Sequence, residues 1–449
     1  MQPQSRADME FFRNSPYDYG KITHNIHEDI EVLKGAFKGM SADETILINI
    51  LGHRNWAERA EIVQEYTKKY DKDLVKEINS YTGGKLQKTL DALMTEPSIY
   101  DTIQLHEALE KKDSSAIIEI LTTRTNAQKQ QIQKIYMIKF SQHLDHSISS
   151  KTKGKFKDLA IALLADREAS PSQSQMDKQT QPVNQQPPQQ QQIPRDSPTS
   201  SSPQRPMESP QQQQLEQPQP QLALPATQQL EPSQEQSVSS MSDNSPKQVP
   251  HDQQPQQPSP QSNVSFEKES VSPRQQQSQE HIPQQYQQQQ QPPMDSQDDL
   301  VTKDAHALYA AGEQKLGTDE SVFIDIFSKR SLEHLRKVED AYYRINVKRH
   351  TLFHAIEHEF INGKLKIALT DILLYATNPA SYWANLFHRS LSGFFVKNTD
   401  LIRLTVTQCS NIDSIKEAYH TRYNRSLASD ITHSISGSYK KVILDIVSF

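Results

Sequence analysis

AGEQKLGTDESVFIDIFSKRS, Ala311 to Ser331, carries three signals in one stretch. Gly312 and Gly317 let the backbone turn and direct carbonyls outward. Thr318, Asp319 and Glu320 are residue types that start helices. An apolar pattern at helical spacing then runs from Val322 to a polar break at Arg330. Turned-out carbonyls beside acids also suit a hard dication, which takes 6–8 oxygen ligands.

The stretch belongs to a repeat. ILINILGHRNWAERAEIVQEY from Ile46, AIIEILTTRTNAQKQQIQKIY from Ala116, VFIDIFSKRSLEHLRKVEDAY from Val322 and DLIRLTVTQCSNIDSIKEAY from Asp400 align. Each is a helical pattern, a polar break and a second helical pattern ending in Tyr. Arg54, Arg124 and Arg330 stand at three breaks, and Gln408 at the fourth. A second series starts at Leu74, Leu144, Leu352 and Leu427, with turns at Gly84, Gly154, Gly363 and Gly437. Spacing of i, i+3, i+4, i+7 runs throughout, and no period-two alternation lasts long enough for a strand, so the chain is all-α.

Composition divides the chain. From about Ser170 to Gln297 it is mostly Gln, Pro and Ser, with too little apolar surface to offset the entropy of ordering. A disordered tether is expected there, with a root-mean-square span of about 60 Å. Ser-Pro steps recur in it, and Ser202 has Arg205 behind it, a kinase-like pattern; a spacer without activity is the plainer reading. The expected organisation is a tail at 1–27, repeats at 28–97 and 98–169, the linker at 170–297, and repeats at 298–380 and 381–449. Cys409 is the single cysteine, so no intramolecular disulfide forms. No basic n-region and apolar run opens the chain, so no signal peptide is expected. No apolar run reaches the roughly 18–20 residues that span a bilayer. A net charge of −6 gives no general attraction to nucleic acid or anionic lipid.

Four helical repeats of this length, each with a loop ahead of its first helix and Arg at the break, resemble the annexin family, most specifically in Ala311 to Ser331. The resemblance covers about 28–169 and 298–449. It implies four five-helix repeats in a curved disc, interrupted by the linker, with calcium loops on the convex face that dock on anionic phospholipid. It implies a cytoplasmic protein that associates peripherally with membranes when calcium rises. Carried over residue by residue, the Ca²⁺ ligands are the carbonyls of Gly312, Lys315 and Gly317 and the carboxylate of Glu359, four residues before Gly363. The gap from Gly317 to Glu359 is longer than the family pattern, with the extra residues assigned around Val347 to His350; Glu357 is the acid in the other register.

The remaining loops depart from the pattern. Gly39 survives in the first repeat, but Ser41 replaces a glycine, Tyr81 stands at the acid position, and a Ser41–Glu44 capping box alone would explain the loop. The second loop, LEKKDSSAII, has two lysines and no glycine, with Lys151 at the acid position. The fourth keeps Gly393, with Phe395 and Ser434 at the other positions. Thr318, Asp319 and Glu320 could also serve capping alone, though capping needs neither glycine nor Glu359. Leu316, Phe394 and Phe395 are candidate membrane contacts; alternatively one Phe is core and the other half-covered. Trp56 and Trp383 read as packing residues. The histidines show no metal-ligand spacing beside a matching acid and read as surface or core.

Calcium-dependent membrane binding through the third repeat is therefore expected. The alternative is a calcium-independent scaffold whose linker recruits protein partners. No nucleophile elbow, phosphate loop or paired catalytic carboxylates are present, so neither an enzyme nor a small-molecule substrate is expected.

Overall fold

The computed structural model describes residues 15–168, 296–361 and 363–448. The expectations for the Gln-rich tether and its Ser-Pro steps lie outside the described residues. Within them, every regular element is helical, and twenty α-helices fall into four sets of five. The first set is α1 (Ile26–Ala36), α2 (Glu44–Gly52), α3 (Trp56–Tyr70), α4 (Leu74–Tyr81) and α5 (Gly84–Met94). The second is α6 (Pro97–Lys111), α7 (Ser114–Thr123), α8 (Asn126–Phe140), α9 (Leu144–Lys151) and α10 (Gly154–Leu164). The third is α11 (Ser296–Ala311), α12 (Glu320–Lys329), α13 (Leu332–Ile345), α14 (Leu352–Glu359) and α15 (Lys364–Thr377). The fourth is α16 (Pro379–Leu391), α17 (Asn398–Gln408), α18 (Ile412–Tyr423), α19 (Leu427–Ser434) and α20 (Gly437–Ser448).

The residues that made the repeat visible hold it together. Arg54 pairs through two nitrogens with Asp29 on α1, both at 2.7 Å. Arg124 grips Asp101 on α6 at 2.5 and 2.7 Å, and Arg330 grips Asp304 on α11 at 2.5 and 3.2 Å. A forked guanidinium on a carboxylate fixes orientation as well as distance, so each of these three breaks is tied to the first helix of its own repeat. The Tyr that ends each aligned segment is equally regular: Tyr66, Tyr136, Tyr342 and Tyr419 are all fully buried. Their hydroxyls reach Glu77, His106, Glu313 and Asp430 at 2.7, 2.9, 2.9 and 2.7 Å. A buried phenol needs such a partner.

Local sequence sets the helix ends. Asn55 and Thr125 start α3 and α8 through capping boxes with Glu58 and Gln128. The expected Ser41–Glu44 box does not form. Asp43 caps α2 instead, accepting from the N–H groups of Thr45 and Ile46, because a carboxylate one residue from the helix outcompetes a hydroxyl three residues away.

Two apolar cores result. One joins the first and fourth repeats, the other the second and third. The residues flanking the tether thus share a core, and its rim is sewn shut: Glu168 N–H donates to the Lys329 carbonyl at 2.8 Å, and Arg167 to that of Arg330 at 2.9 Å. The two cores are linked by the buried pair Arg403–Glu119, closest at 2.8 Å, between α17 and α7. The segment before α1 straps the first two repeats, with Tyr17 on Asp101 at 2.8 Å and Tyr19 on Glu96 at 2.5 Å. Trp383 is buried, and Trp56 is half-buried against the Tyr19 ring, consistent with packing.

Candidate cation loop of the third repeat

Between α11 and α12 the chain makes a tight loop whose two glycines have separate physical reasons. A Cβ on Gly312 would stand 3.3 Å from Glu359 Cγ, so a larger residue would push the acid away. Gly317 sits at φ +81°, which side chains other than glycine's disfavour. The loop closes through Lys315 N–H to the Gly312 carbonyl at 3.1 Å and Asp319 N–H to the Ala311 carbonyl at 2.8 Å.

Glu359, the last residue of α14, lies against this loop. The Thr318 hydroxyl is within hydrogen-bonding distance of the Glu359 main-chain oxygen at 3.0 Å and of its Oε2 at 3.1 Å. Thr318 therefore orients the acid, while Asp319 caps α12 by accepting from Ser321 N–H. Capping occupies Asp319 but accounts for neither glycine nor Glu359. No ion pair to Glu359 is formed among the described residues, whereas Glu357 is paired with Lys366 at 2.7 Å. The extra residues of this repeat do lie between α13 and α14, where the connection is Asn346–Thr351. A further one lies in the turn after Glu359, since α4, α9 and α19 end three residues before their glycine and α14 four. Leu316 at the loop tip is fully exposed.

The other three loops lack this arrangement. The ring of Tyr81, at the acid position of the first repeat, packs on Phe37 with centroids 5.5 Å apart. Lys151 in the second is paired with Glu110 at 2.8 Å, and only Lys112 and Asp113 separate α6 from α7. In the fourth, Phe394 and Phe395 are both fully exposed, which overturns the reading of one as core. Helix-to-helix contacts bring the four loops to one face. Ser438 at the start of α20 donates to Glu44 at the start of α2, and Lys364 at the start of α15 donates to the Lys112 carbonyl at 3.2 Å. Lys112 and Lys397 line one cavity of about 320 Å³, together with Glu119 and Arg403.

A second group of donors, absent from the sequence reading, lies behind the loop. Glu313 turns inward, with one oxygen at 2.6 Å from His350 Nδ1 and the other accepting from Tyr342 at 2.9 Å and Asn346 at 2.5 Å. Burial alone would raise its pKa, but these three hydrogen bonds outweigh it and hold the carboxyl below its ordinary value. His350, His354 and His358 form a ladder, with ring centroids 3.8 and 4.1 Å apart. Desolvation, then the charges of its two neighbours, lower the pKa of His354. The expectation that no histidine has metal-ligand spacing is corrected here: HTLFHAIEH places them four apart, and the acid comes from another loop.

A family model described as Annexin matches residues 28–93, 100–163, 303–372 and 382–446. Annexin A7 of Dictyostelium discoideum is 31% identical over 427 residues, covering 95% of this chain and 65% of that protein. Annexin A11 of Homo sapiens is 24% identical, covering 93% and 59% respectively. The chain thus spans less than two thirds of the length of these curated relatives. Among solved structures, annexin III matches with a TM-score of 0.62 at 23% identity over 96% of each chain. Calcium-bound annexin (Sm)1 matches with a TM-score of 0.62 at 19% identity, over 96% of this chain and 92% of that one.

Proposed function

This chain belongs to the annexin family, and from that premise we propose that it docks on anionic phospholipid when calcium fills the loop of its third repeat. Calcium-dependent phospholipid binding is the general activity of the family, which is not an enzymatic one. The observation that carries the reading is Glu359, held by Thr318 against a loop where a Cβ at 312 would crowd it and where 317 takes a positive φ that favours glycine. Carbonyls of Gly312, Lys315 and Gly317 and the Glu359 carboxylate supply the hard oxygens, and the calcium they hold leaves coordination positions for a lipid phosphoryl oxygen. Each ligand then raises affinity for the other. Leu316, Phe394 and Phe395, exposed on the same face, enter the headgroup region beside it. With one good loop, avidity is low and the calcium requirement high. No helix among the described residues is long and apolar enough to cross a membrane.

Co-sedimentation with anionic liposomes tests this. Wild type pellets with calcium and stays in solution with chelator, and Glu359→Gln stays in solution under both; equal pelleting of all samples rejects the proposal. A second reading has its own support, since Tyr81, Lys151 and Ser434 remove the acid from three of four repeats. It is a calcium-independent platform that recruits proteins through residues 170–297. Partner capture indifferent to chelator and lost on deleting that segment would favour it.

A further inference from the structure

We propose that Glu313, His350 and His354 form a binding site for a borderline transition-metal dication such as Zn²⁺, separate from the oxygen-lined loop. Each of the three offers one ligand atom, and these atoms lie within 4.8 Å of one another. Two imidazoles and one carboxylate suit zinc, with bonds of about 2.0–2.2 Å, and are a poor set for calcium, which prefers oxygen alone. Closing from the present separation requires side-chain rotation and displacement of the proton shared by Glu313 and His350.

Three features show a built site. First, His354 Nδ1 is shut off from solvent and has no hydrogen-bond partner, so a ring that supplies one of the three clustered ligand atoms carries an unmet demand. Second, the carboxylate is already oriented from behind by Tyr342 and Asn346, which are 0% and 1% exposed. Such outer partners fix ligand geometry in metal sites. Third, the arrangement is particular to this repeat. In the first and fourth repeats the buried Tyr takes its acid from the fourth helix, at Glu77 and Asp430. The matching position on α14 is Ala355, so Tyr342 draws Glu313 inward from the loop instead. The six-residue connection Asn346–Thr351, against three residues in the other repeats, brings His350 over the same spot.

Glu313 lies between Gly312 and Lys315, so metal held here pins the start of the loop. That consequence rests on the calcium reading; the site itself does not.

Full-length protein stripped with chelator is titrated with Zn²⁺ against a chromophoric zinc indicator, and with Co²⁺ by visible absorption. Wild type and Glu359→Gln are expected to bind one tight equivalent and show the same cobalt spectrum. His354→Gln and His350→Gln/His354→Gln are expected to bind at least about tenfold more weakly and lose that spectrum. Far-UV circular dichroism checks that the variants fold. Should His354→Gln not fold, His350→Gln, altered only in a surface connection, gives the same answer. Equal zinc affinity in wild type and the histidine variants overturns the site. Loss of zinc in Glu359→Gln, with stoichiometric displacement by calcium, also overturns it by putting zinc in the loop.

Discussion

Two glutamates titrate in opposite senses, and both follow from their surroundings. Glu339 on α13 accepts one backbone donor, Leu352 N–H at 2.8 Å, and burial pushes its pKa up to about 7, with Asp340 adding to the rise. Glu58 overcomes its burial by accepting from His24, Thr23 and Asn55 and is held at about 2. Between pH 4.5 and 7 the folded chain keeps the Glu339 proton that the unfolded chain has lost, so this group's contribution falls as pH rises and stays low above 7. For Glu58 the contribution is present above pH 4.5 and is lost as pH falls towards 2. Glu339→Gln keeps the acceptor and removes the charge. It should raise the thermal midpoint at pH 8 and leave it unchanged at pH 4.5; equal effects at both pH values would refute the assignment. Glu359 could be picked out in the sequence as a carboxylate just ahead of the Gly363 turn, although its gap from Gly317 is longer than the family pattern. Glu313 was not legible: it meets His350 across 37 residues, through a substitution at Ala355 whose effect exists only in three dimensions.

At the scale of the loop, Gly317→Ala forces a Cβ into the left-handed region at a cost of about 1–2 kcal/mol. It should weaken calcium-dependent vesicle binding while leaving the four-repeat fold intact by circular dichroism. The exposed pair Phe394 and Phe395 belongs to a loop with no acid, so its contribution is apolar. Replacing both with Ser should weaken vesicle binding roughly 10–100-fold, about 1–3 kcal/mol if insertion is partial. Calcium binding without lipid should not change, and an unchanged vesicle affinity would place the pair outside the contact. The helices were legible from periodicity, and the break arginines marked the repeat before their purpose was visible. Which residue caps α2 was not, because Asp43 and Ser41 compete through local geometry that spacing alone does not rank.

Across the molecule, the repeats pair first with fourth and second with third. All four carry the same apolar pattern, so nothing in the sequence says which faces meet. The pairing is fixed by particular contacts, such as the Glu168–Lys329 backbone bond, and the two cores are joined by Arg403 on Glu119. Arg403→Met strands a buried carboxylate and should cost about 3–5 kcal/mol. Arg403→Met with Glu119→Leu should recover most of that loss in denaturant unfolding, whereas additive losses would mean the pair is not the link. The same framework sets Glu359 against the loop of the third repeat, which the proposed function makes the calcium loop. The most direct test is a calorimetric calcium titration with anionic vesicles present, on wild type and on Glu359→Gln. A saturable calcium isotherm in wild type that disappears in the variant is predicted; the same isotherm in both would contradict it.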